Sequence, residues 1–99
     1  MSVGVTIEIY EGFPDDFLHR LTPKAQEEVK VLLARLQVNP YEPQLQRECA
    51  LHDGELFEYP LDGKLSIFWR VQDSNLSVTN PRMTVWLDKI ARSTWARKN

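Results

Sequence analysis

The residues able to do chemistry concentrate between Glu55 and Val71. ELFEYPL and KLSIFWRV flank Asp62-Gly63, a pairing of strand-like runs around a turn dipeptide that predicts a β-hairpin. In the second run Leu65, Ile67, Trp69 and Val71 share one face and Lys64, Ser66, Phe68 and Arg70 the other. The first face wants a core. The second offers two cations, a hydroxyl and an aromatic ring, a set suited to a polyanion. Further cations follow: residues 64–99 hold seven Lys/Arg against two Asp/Glu, whereas residues 1–63 hold five against twelve. The net charge of −2 hides this asymmetry. A basic C-terminal part can present a cationic patch. The plainer alternatives are that these charges solvate a helix and tail, and that Arg70 pairs with Glu58 across the hairpin.

Cys49 and His52 form a Cys-x-x-His pair, two ligands where a structural zinc site needs four. His19 is the only other histidine. No neighbour in sequence orients His52 as a partner for a cysteine nucleophile, so neither metal binding nor thiol chemistry is expected. A lone cysteine makes no internal disulfide, which favours a reducing compartment. Without a run of about 18 apolar residues or a basic-then-apolar leader, the expectation is a cytoplasmic protein off the membrane.

The elements that must hold these residues follow from periodicity. Val5, Ile7 and Ile9 alternate with polar residues in a short strand. A brief helical segment over Asp16–Arg20 leads to the main helix, which starts at the Thr22 cap with Pro23 in its first turn and stops by Asn39-Pro40. Ala25, Val29, Leu32, Leu33 and Leu36 form its apolar stripe. Tyr41–Asp53 reads as an irregular loop. After the hairpin, Leu76–Val78 begins a strand, Pro81 interrupts it, and Met83, Val85 and Leu87 resume it. Trp69, Trp86 and Trp95 read as packing residues more than as stacking platforms. Lys89–Asn99 reads as a short helix or tail. The 99 residues make one α+β domain: an N-terminal strand and helical hairpin packed on one face of a small antiparallel β-sheet.

This order of elements resembles the RelE/ParE superfamily, toxins of bacterial type II toxin–antitoxin systems. The residues that carry the resemblance are FLHRLTPKAQEEVKVLLARL, VNPYEPQL, GELFEYPLDGKLSIFWRVQDSN and TVWLDKIARSTW, which together cover nearly the whole chain. The resemblance implies a RelE-like fold and one of two activities. RelE-like members cut messenger RNA on the ribosome without a metal or other cofactor, the ribose 2′-OH attacking the neighbouring phosphate. ParE-like members poison DNA gyrase. In both a cognate antitoxin is the neutralising partner. For the ribonuclease, the resemblance implies Lys64, Arg70, Lys89 and Arg92 as catalytic cations, and Phe68, Arg82 and Trp95 as RNA contacts. Such cations stabilise charge on a phosphorane, and aromatic rings stack splayed bases. Where the family carries an arginine just after the hairpin turn, this chain has Ser66. No histidine follows in its C-terminal segment. Both departures leave room for a gyrase inhibitor or a catalytically inactive binding protein of the same fold.

Overall fold

The computed structural model describes residues 4–9, 21–73 and 82–95. Five strands form one sheet in the order β1-β5-β4-β3-β2: β1 (Gly4–Ile9), β2 (Ala50–His52), β3 (Leu56–Pro60), β4 (Leu65–Asp73) and β5 (Arg82–Arg92). The expected segment over Asp16–Arg20, His19, the strand over Leu76–Val78 and the break at Pro81 lie outside the described residues. The sheet is mixed, which corrects the antiparallel expectation. β1 runs parallel to β5, with Ile7 opposite Val85, while the other pairings are antiparallel. Side-chain alternation is the same in both kinds of pairing, so strand direction was not legible.

Helix α1 (Pro23–Val38) covers one face of the sheet. Thr22 Oγ1 accepts from the Ala25 backbone N–H at 3.1 Å, and the Asn39 N–H closes the other end on the Arg35 carbonyl at 3.0 Å. Both ends fall where the cap and the proline put them. Ala25, Val29, Leu32 and Leu36 are buried against Phe57, Ile67, Trp69, Val85, Leu87 and Ile90. Trp69 is fully buried and stacks on Phe57 with centroids 5.5 Å apart.

Tyr41–Asp53 is ordered, contrary to the expected loop. It holds a short helix α2 (Pro43–Glu48) and the strand β2. Glu42 caps α2 by accepting from the Gln44 and Leu45 N–H groups. Arg35 docks α2 on α1 through a two-pronged pair with Glu48, at 3.2 and 2.9 Å. Residues 53 and 54, a second Asp-Gly, then turn β2 into β3, both with positive φ (+52° and +77°). In the β3–β4 turn the positive φ values fall on Gly63 (+87°) and Lys64 (+64°). Lys64 therefore belongs to the turn and not to β4. The helix clamps this turn: Thr22 Oγ1 donates to Asp62 Oδ2 at 2.8 Å, and Glu28 Oε1 accepts from the Asp62 N–H at 2.8 Å.

β5 continues to Arg92, so the expected helix or tail from Lys89 begins as strand. Its register slips beside Phe68 and Trp69. Phe68 faces Lys89 and Trp69 faces Leu87, which leaves Asp88 as the extra residue of a bulge. The bulge lets Leu87 and Ile90 both reach the core and turns Lys89 to the opposite face. Among the described residues no helix is long and apolar enough to cross a membrane.

Candidate functional site

The face of the sheet away from α1 centres on Glu58. Strand parity aims it away from the core, beside Ser66 and Phe68, yet it is wholly buried. Its oxygens collect nearly every bond they can accept. Oε2 accepts from Ser66 Oγ at 2.6 Å and from the Thr94 N–H at 2.8 Å; Ser93 Oγ lies 3.2 Å away and shares its one proton between Oε2 and the Trp95 carbonyl. Oε1 meets His52 Nε2 at 2.7 Å and accepts from Thr94 Oγ1. Burial pushes the carboxyl up, but the bonds from Ser66, Thr94 and His52 outweigh it and hold the pKa at about 2. The group is a charged acceptor, so the hydrogen between it and His52 sits on Nε2. In the neutral form of the ring Nδ1 is then the unprotonated nitrogen.

The β2–β3 hairpin makes this meeting possible. His52 lies opposite Leu56 and therefore diagonal to Glu58 on the same face. The C-terminal segment closes over the other side. The Ser93 N–H donates to the Lys64 carbonyl at 3.0 Å, and Ser93 Oγ donates to the Trp95 carbonyl at 2.8 Å.

The expected site residues fall into separate groups. Lys64, Arg92 and Trp95 come together, lining with Pro60, Leu61, Ser93 and Thr94 a cleft of about 480 Å³. Lys89 stands in the middle of the face, its Nζ 5.0 Å from the centre of the Phe68 ring. Phe68 is only 3% exposed, which corrects its reading as an exposed stacking ring: Lys89 and the His52 ring, 6.5 Å away centre to centre, flank it. Arg70 pairs with Glu55 at 2.9 Å, not with Glu58. Trp86, read as a packing residue, is half-buried and donates to Gln72 at 3.0 Å. Arg82 begins β5 at the far end from Arg92, a strand length of roughly 33 Å away.

Ser66 is fully buried as a donor to Glu58. Sequence reasoning missed the His52–Glu58 pair. The available signal was Asp53-Gly54, directly after Ala-Leu-His, which marks β2 as a hairpin strand. Cys49 is buried in the core, and burial pushes its thiol up to about 11. It is protonated at neutral pH. Among the described residues no group of three or more His, Cys, Asp or Glu is placed to hold a metal ion.

No protein-family model matches this chain, and neither a curated protein nor a solved structure matches it.

Proposed function

We propose that the chain is a RelE/ParE-type toxin, acting in the cytoplasm, that stops translation by cutting messenger RNA on the ribosome, with an antitoxin protein as its restraining partner. The observation that supports this reading best is the cleft that joins Lys64, Arg92 and Trp95 beside the Glu58 network. Two cations with a half-exposed ring are what a phosphate and an unstacked base require. Lys89 extends the positive charge along the face, with Phe68 as the platform beneath it. In this reading Lys89 lies at the phosphate that is cut, Lys64 and Arg92 hold the next one, Trp95 stacks a base, and Arg70 steers the backbone beyond.

Ser66 supports a second reading, a gyrase inhibitor of the ParE kind. The buried hydroxyl supplies no guanidinium for a phosphorane. Controlled expression in a bacterium separates the two. If amino-acid incorporation collapses within minutes, and Lys64→Ala or Arg92→Ala restores it, the ribonuclease reading holds. If growth stops while incorporation continues, it falls, and purified protein that blocks DNA supercoiling points to gyrase.

A further inference from the structure

The ribonuclease reading lacks a proton acceptor among the residues expected from sequence, since lysine and arginine are charged at neutral pH. We infer that His52 accepts the proton of the attacking ribose 2′-OH, and that Glu58 positions it. The assignment rests on the ribonuclease reading and deepens it.

Three observations carry it. Glu58 bonds one ring nitrogen, Nε2, at 2.7 Å and so fixes the tautomer that leaves Nδ1 able to take a proton. The same carboxylate is anchored by Ser66 and Thr94, so the imidazole is held by a fixed group. The side chain of His52 is 36% exposed, whereas Glu58 is wholly buried. A surface salt bridge needs no such anchorage. Position agrees with role. His52 and Lys89 flank one ring, Phe68, and Thr94 joins Glu58 to the cleft of Lys64, Arg92 and Trp95.

The step balances within these groups and water. Nδ1 of His52 takes the 2′-OH proton as the 2′-oxygen bonds to phosphorus. The bond from phosphorus to the 5′-oxygen breaks, and water protonates the departing oxygen. The products are a 2′,3′-cyclic phosphate and a 5′-hydroxyl. Lys89 offsets the charge that grows on the phosphate oxygens.

The test is single-turnover cleavage of a messenger bound to ribosomes, across pH, by the wild-type protein, His52→Gln and His52→Ala. The charged groups around the imidazole are Glu58 on β3, Lys89 on β5 and the Glu55–Arg70 pair at the edge of the face. They are unchanged in all three proteins. His52→Gln should bind ribosomes as wild type does but cleave ~10²–10⁴-fold more slowly, and its rate should follow pH differently from that of wild type. Free imidazole should restore part of the rate to His52→Ala, which a packing role does not explain. If wild type cleaves and His52→Gln stays within twofold of it, His52 is not the acceptor and the ribonuclease reading survives. If folded wild type leaves the message intact, both fail together. Glu58→Gln should share the defect; should it not fold, the two His52 variants still decide.

Discussion

Glu58 governs how the protein answers to acid. Its pKa lies at about 2, below the ordinary value of 4.5. The folded state thus prefers the ionised form, and the stability this confers is complete above pH 4.5 and lost as pH falls toward 2. Between those limits the melting temperature of wild type should drop more steeply than that of Glu58→Gln. Parallel slopes in a thermal melt series would remove this role. Lys64 gives a second prediction. Its φ of +64° costs a side-chain-bearing residue about 1 kcal/mol. Lys64→Gly should therefore stabilise the fold by up to about 1 kcal/mol while weakening cleavage, so that stability and activity move in opposite directions. A Gly variant that is both less stable and fully active would contradict both halves. Lys64, Arg92 and Trp95 were named from the sequence by residue type; that they line one cleft was not legible, because Lys64 sits in the turn and not on the strand face. His52 was set aside because its orienting partner is six residues away, across a hairpin formed by a strand of three residues.

The elements show why some positions were readable and others not. Thr22, Pro23 and Asn39-Pro40 bound α1 because capping and proline geometry act locally, within a few residues. The alternation in Leu65–Val71 assigned the right face to the core, for the same reason. The bulge at Asp88 is not local: it answers the competing demands of Leu87 and Ile90 for the core, and unbroken alternation would have put Lys89 on the wrong face. Thr22 links two elements at once, capping α1 and donating to Asp62 in the turn that carries Lys64. Thr22→Ala should cost about 1–2 kcal/mol in urea unfolding. It should also lower cleavage more than an equally destabilising change on the outer surface of α1. Equal activity losses at equal stability would show that the clamp does not position the turn.

Across the described residues, a helix layer covers one sheet face, and the other face buries a charged carboxylate under a strap from residues 93–95. The core depends on Trp69, so Trp69→Ala should destabilise by about 3–5 kcal/mol, and a melt within 1 kcal/mol of wild type would contradict its place there. Charge asymmetry pointed to a polyanion partner, but it counts residues and not their pairing. Arg70 is matched by Glu55 in an exposed pair, worth under about 1 kcal/mol, so its removal reports on function and little on stability. The most direct measurement is cleavage of a defined messenger by the purified protein on ribosomes, with the cut sites mapped, alongside Lys64→Ala, Arg70→Ala and Arg92→Ala. The ribonuclease reading requires cuts at the ribosome that depend on Lys64 and Arg92, in variants that remain folded. An intact message in the presence of folded wild-type protein would contradict it.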